Sequence, residues 1–333
     1  MSKESYIRDV KVGDAVSTEA LIKDFVAAQT KSGKPYARFK IQDKTGALSA
    51  VMWNWTPHMG TPPDGSISFV TGTATEYNGA LQVSMQNIVP VTDGVDMSDY
   101  EIRSKYTVED LSSKLDHYIN DFNHPWFQQV AEHLLVANSG YREKFEQGPA
   151  ATGIHHAFKS GLLEHTVEML ESAEALLSLP FYSKQLNKDL CMFGVMFHDF
   201  GKIFEYSSEA GFKKTLQGTL VPHIPMTAAL IFEAANIYKV PEIIRDFMMH
   251  VVLSHHRMLE WGSPVRFACQ EAAFVHYVDC MHGDVMGMGQ GLESNVKPGD
   301  TLYKQPTGDR LVLSAEKFET ILGRVTACIE ENR

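Results

Sequence analysis

The chain has 333 residues, a net charge of −11 and 44% hydrophobic residues, which is enough for a sizeable core and suggests two domains. No apolar run approaches the roughly 18 residues of a membrane span, and Met1-Ser2-Lys3-Glu4-Ser5 shows no apolar leader, so neither a membrane partner nor a signal peptide is expected. The four cysteines form no CxxC pair, which argues against a zinc-thiolate site and for reduced thiols in a cytoplasmic protein.

Residues 1–92 read as strands. Ala20–Phe25, Ala37–Gln42, Leu48–Trp53, Ile67–Thr75 and Leu81–Ile88 are rich in β-branched and aromatic residues. Lys31-Ser32-Gly33-Lys34-Pro35, Asp43-Lys44-Thr45-Gly46 and Asn78-Gly79 punctuate them as turns. Five short strands in so few residues predict a small all-β barrel of the OB type. Net acidity argues against a duplex binder, yet Lys31, Lys34, Arg38, Lys40 and Lys44 stand against the single acid Asp43 in that stretch. A local positive track is all that a single-strand groove needs. Tyr36, Phe39, Trp53, Trp55, Phe69 and Tyr77 are candidate stacking residues, and of these Tyr36 and Trp53, with Arg38 and Lys40 for phosphate, are the nucleic-acid-binding candidates.

Residues 93–106 are polar and acidic and read as a linker. From residue 107 to 333 an all-α domain is expected. Val108, Leu111, Leu115 and Ile119 recur near a 3.6 period behind the cap signature Thr107-x-x-Asp110. Pro125-Trp126 opens a second helix to about Ala137, and further helices are expected near 160–178, 187–200, 225–237, 241–253 and 270–281. Gly287, Gly289, Gly291 and Pro298-Gly299 predict a loop, and Ser314–Glu331 a closing helix.

Ten of the 14 histidines lie between His155 and His282. Among them are the pair His198-Asp199 at the end of an apolar helix, His165, His223 and His255-His256, with Asp279 beyond. Imidazoles and carboxylates from several helices can converge on two divalent ions, with Asp199 bridging them. Such a pair polarises a phosphate and stabilises the leaving oxygen. The absence of cysteine ligands favours Mn²⁺, with Mg²⁺, Fe or Co²⁺ as alternatives, over structural zinc. His250, His276 and His282 read as structural or surface residues.

The order H…HD…H…H…D resembles the HD superfamily of metal-dependent phosphohydrolases. With the barrel in front, the chain resembles the YhaM-like 3′-to-5′ exoribonucleases. The likeness runs over about residues 5–285, through Gly148-Pro149-Ala150-Ala151, His155-His156-Ala157, Gly161–Thr166, Phe197–Lys202, Leu216–Leu220, Leu253–His256, Leu259–Pro264 and His276–Asp279. The resemblance implies His165, His198, Asp199, His223, His255 and Asp279 as metal ligands, with His256 as the rival of His255. It implies His198, Asp199 and Lys202 as catalytic residues, Lys202 meeting substrate phosphate, and it leaves His156 as a candidate substrate contact. It further implies removal of 5′-mononucleotides from the 3′ end of single-stranded RNA or DNA. Pro222 and Arg257-Met258 depart from the family pattern, which has Gly before the third histidine and Gly-Lys after the pair. Two other readings stay open: an HD nucleotidase or cyclic-nucleotide phosphodiesterase with a regulatory barrel, and a non-catalytic single-strand-binding adaptor. The oligomeric state is not legible in the sequence.

Overall fold

The computed structural model describes residues 6–77, 80–92, 94–102, 104–151, 156, 158–207, 212–295, 302–304 and 311–313. The Asn78-Gly79 turn, His155, Pro298-Gly299 and the closing helix lie outside them.

Five strands close into a barrel: β1 (Ala15–Gln29), β2 (Pro35–Asp43), β3 (Gly46–Trp53), β4 (Ile67–Tyr77) and β5 (Ala80–Pro90), in the order β1-β2-β3-β5-β4. Closure depends on the length of β1. Its first half, Ala15–Leu21, pairs with β4, and its second half, Leu21–Gln29, pairs with β2. A register shift between Lys23 and Val26, with Asp24 at φ 55°, bends the strand between the two partners. Strands β3 and β5 are parallel and seal the far side. At Gly72, where β4 also shifts register, a Cβ would stand 2.5 Å from the Ser84 carbonyl oxygen, so only glycine fits. Alternation sends Ala37, Phe39 and Ile41 inward and leaves Arg38 and Lys40 exposed. The acidic stretch expected as a linker is partly docked on the barrel. Tyr100 is buried beside Leu21 and Ile67, its carbonyl accepts from Gln42 Nε2 at 3.1 Å, and its hydroxyl donates to Glu19.

Helices then follow: α1 (Val108–Asn120), α2 (Pro125–Leu135), α3 (Ser139–Gln147), α4 (Gly161–Leu177), α5 (Pro180–Ser183), α6 (Lys188–Phe197), α7 (Lys202–Glu205), α8 (Leu216–Leu220), α9 (His223–Ile237), α10 (Glu242–Leu253) and α11 (Gln270–Asn295). Thr107 caps α1 as the signature predicts, accepting from Asp110 N at 3.1 Å. The sequence reading missed α3, which Asn138 caps by accepting from Tyr141 N at 3.1 Å. A short hairpin follows α11, β6 (Leu302–Lys304) against β7 (Leu311–Leu313).

Helix α6 is the axis of this domain. Asp189–Phe197 are all buried, and α2, α4, α10 and α11 pack around it. An all-round apolar helix has to be internal, because it has no face to offer water. Gly194 allows the closest approach: a Cβ there would be 2.7 Å from Val275 Cγ2 of α11. The glycine run predicted as a loop is instead part of α11, which continues through Gly287, Gly289 and Gly291. Each interior glycine costs a helix about 1 kcal/mol, but adding residues to a formed helix needs no new nucleation.

Candidate metal centre and nucleic-acid face

Because α6 is central, its C-terminal end delivers His198 and Asp199 into the middle of the bundle, where both are buried. Four other elements converge on that point. His165 comes from the second turn of α4, His223 is the first residue of α9, His255 and His256 follow α10, and Asp279 lies midway along α11. All six residues expected as ligands therefore meet, and His256 joins them.

They form two groups sharing Asp199. His165, His198 and Asp199 make one, and Asp199, His223, His255 and His256 the other, their ligand atoms within 4.8 Å of one another in each. Asp199 Oδ2 lies 3.2 Å from His198 Nε2 and 3.8 Å from His165 Nε2. Asp199 Oδ1 lies 3.3 Å from His223 Nε2 and 3.9 Å from His255 Nε2. Asp279 Oδ1 approaches the first group, at 3.6 Å from His165 Nε2 and 3.8 Å from His198 Nε2. Asp279 retains one-fifth of its side-chain exposure, against one-twentieth for Asp199, so the centre opens to solvent on the α11 side.

The backbone sets the imidazoles. His198 Nδ1 bonds the Val195 carbonyl at 2.8 Å, His255 Nδ1 that of Val252 at 2.7 Å, and His256 Nδ1 that of Trp261 at 2.7 Å. A carbonyl only accepts, so each Nδ1 carries a proton and each ring turns its Nε2 toward the centre. His223 uses a carboxylate for the same purpose. Glu205 Oε2 takes both the Nδ1 proton and the backbone N–H of His223, each at 2.7 Å. That N–H is one of the unpaired donors of the α9 N-terminus, and Pro222 before it has none to satisfy. Pro222 therefore leaves His223 anchored.

Asp199 Oδ1, His223 Nε2 and His255 Nε2 are buried and have no hydrogen-bond partner. Each such atom costs about 1–3 kcal/mol unless something fills the gap. Three acceptors aimed at one point fit a cation, and the mixed nitrogen and oxygen donors fit a borderline or hard divalent ion.

The electrostatics agree. Burial opposes ionisation of Asp199, but Lys202 and His198 outweigh it and hold the carboxyl well below its usual range. Burial, with the neighbouring imidazoles, holds His165 and His255 well below the usual histidine value, so both are neutral. Lys202 stays charged because Asp199 overcomes its burial. Its Nζ lies 2.6 Å from Asp199 Oδ2 and 2.6 Å from the Ala150 carbonyl oxygen. Burial disfavours ionised Glu205 as well, yet the bonds from His223 and Lys214 lower its pKa to about 2.

The residues that sequence reasoning missed surround these. Glu205 gave no signal beyond following Lys202 by three. His282, read as structural or surface, is buried with its Nδ1 3.0 Å from His165 Nδ1. Glu168 Oε2 holds His282 Nε2 at 3.0 Å and His156 Nε2 at 3.2 Å. His156 is thus buried behind His165. The available signal was spacing: Glu168 follows His165 by three on α4, and His282 follows Asp279 by three on α11.

On the barrel, Tyr36 and Trp53 are directly paired across β2 and β3, their rings 5.5 Å apart, and Trp53 is half exposed. Arg38 and Lys40 continue the same face, Lys40 Nζ lying 3.0 Å from Asp24 Oδ2. Phe69 and Tyr77 also point outward, on β4. Phe39 and Trp55 do not: both are buried around Phe25, with ring centroids 5.2 and 5.5 Å from it. They belong to the core because a small barrel must fill its interior with side chains.

Among the described residues no helix is long and apolar enough to cross a membrane. Residues 6–91 match the family of OB-fold nucleic acid binding domains, and residues 162–284 match the HD domain. The barrel resembles the second OB-fold domain of replication protein A from Methanococcus maripaludis, at 18% identity and a TM-score of 0.24, over 28% of this chain and 98% of that one. Over 294 residues, covering 87% of this chain and 88% of the relative, the sequence is 36% identical to the 3′-5′ exoribonuclease YhaM of Geobacillus sp. (strain WCH70). With its barrel, its helical HD domain and this likeness along nearly the whole length, the chain belongs to the YhaM family.

Proposed function

We propose that the chain is a metal-dependent hydrolase that removes nucleotides from the 3′ end of single-stranded RNA, and also of DNA, releasing 5′-mononucleotides. The observation that carries this reading is Asp199, whose two oxygens face two separate groups of imidazoles. One ion would be held by His165, His198, Asp199 and Asp279, the other by Asp199, His223, His255 and His256, with Mn²⁺ the favoured metal. When bound, such a pair supplies Lewis-acid polarisation of the phosphate and an acidic water at neutral pH.

The chain's own residues do the remainder. The neutral His255 imidazole, locked at Nδ1, presents a lone pair without rearrangement. Asp199 stays ionised beside Lys202, whose ammonium would meet the substrate phosphate. On the barrel, Tyr36 and Trp53 offer ring faces to bases and Arg38 and Lys40 offer charge to phosphates, a combination that grips single strands independently of sequence. The assay uses end-labelled single-stranded RNA and DNA with each divalent ion, beside free nucleotides and cyclic dinucleotides. Stepwise 5′-mononucleotide release from the 3′ end, abolished by EDTA and restored by Mn²⁺, supports the reading. Preferential turnover of nucleotides or cyclic dinucleotides would replace it.

A further inference from the structure

Five imidazoles at the centre are oriented by an Nδ1 bond, and four of those bonds run to a carbonyl or carboxylate. His165 is the exception, because its Nδ1 faces another histidine, His282 Nδ1, at 3.0 Å. Two imidazole nitrogens in contact leave the proton undecided: either could donate. The next contact decides it. His282 Nε2 lies 3.0 Å from Glu168 Oε2, and an ionised carboxylate can only accept. In the neutral ring this places the His282 proton on Nε2 and a lone pair at Nδ1. His165 must donate from Nδ1, and its Nε2 is left bare toward His198, Asp199 and Asp279.

We propose that Glu168 and His282 are positioning residues that set the His165 tautomer by a two-step relay from α4 through α11 and back to α4. The inference rests on the reading of His165 as a metal ligand. His156, whose Nε2 lies 3.2 Å from the same Glu168 oxygen, supplies a second N–H to that carboxylate and holds it in place. The arrangement has a chemical rationale. His165 lies in the second turn of α4 and meets His282 at Nδ1; His198 and His255, at or just past helix ends, turn back onto the carbonyl three residues before them. A carboxylate acting through an intervening imidazole replaces that carbonyl.

The test has two arms on the full-length protein. In the metal-free wild type, the long-range proton–nitrogen spectrum of the histidine rings should show His165 protonated at Nδ1 and bare at Nε2, and His282 the reverse. His165 protonated at Nε2 overturns the proposal. In Mn²⁺ titrations, the wild type should bind two ions. His282→Leu should weaken one of them by about 10–100-fold, the usual effect of losing a ligand's orienting partner. His282→Asn, which keeps an acceptor oxygen near the Nδ1 position, should recover most of that loss. Two ions bound by His282→Leu with wild-type affinity overturn the relay alone. A wild type that binds no Mn²⁺ overturns the metal-centre reading and the relay with it.

Discussion

The barrel and the helical domain solve opposite problems. The barrel exposes its candidate functional groups: Tyr36, Arg38, Lys40 and Trp53 stand outward on two adjacent strands while Phe39 and Ile41 fill the interior. The helical domain buries its groups, bringing charge and imidazole from α4, α6, α9, α10 and α11 to one point. An exposed binding face loses little when one member is removed, because water takes the vacated place and each contact contributes separately. A buried centre is cooperative, because each lost group strands the others without partners.

Mutation should expose that contrast, and the largest effect belongs to the centre. Asp199→Ala should lower turnover by roughly 10³-fold or more, since both imidazole groups depend on it, while single-stranded RNA affinity stays at the wild-type value. Turnover and filter binding on the same folded variant check this; unchanged turnover would break the site assignment.

Next comes Glu205→Ala, which frees His223 at both its ring and its backbone. Mn²⁺ affinity, read by calorimetry, should fall by about 10–100-fold. The same residue predicts a pH dependence. Its folded pKa of about 2 lies below the ordinary value of 4.5, so it stabilises the fold above pH 4.5 and loses that contribution as pH falls toward 2. Acid titration of the metal-free protein should show the wild type and Glu205→Gln converging in stability over that window; parallel curves would refute the linkage.

Removing Trp53 is a smaller change. Stacking is worth about 1–3 kcal/mol per base, so Trp53→Ala should weaken RNA binding by about 5–150-fold at unchanged turnover on saturating substrate. A fall in saturated turnover instead would mean that barrel and centre are not separable. The smallest effect is expected of Arg38→Ala. It should lower affinity evenly across sequences and reduce the salt slope of binding by about one, measured by titrating RNA at several salt concentrations.

The two regions also differ in how far they could be read in advance. Strand alternation is local, so β2 showed in the sequence which of its residues face out, and the OB-type barrel followed by the helical HD domain was legible as a whole. Phe39 and Trp55 had looked available for stacking because aromatic content alone does not say which side of the barrel wall a ring occupies; alternation assigns Phe39 only once the register of β2 is known. In the helical domain the ligand types were legible as a crowd of histidines around His198-Asp199. The choice between His255 and His256 was not, and the structure brings both into one group with His223. The glycine run after Met286 misled because glycine is costly in a helix but not prohibitive once the helix is formed.

By itself, the sequence determined the order of the two domains, the chemistry of the donors and the family, since these depend on residue type and local period. Only tertiary structure decided which nitrogen of each imidazole faces the centre, that Glu205 and Glu168 stand behind His223 and His282, and that Asp199 looks two ways. These are contacts between residues up to more than a hundred positions apart, and hydrogen-bond direction exists only once both partners are in place.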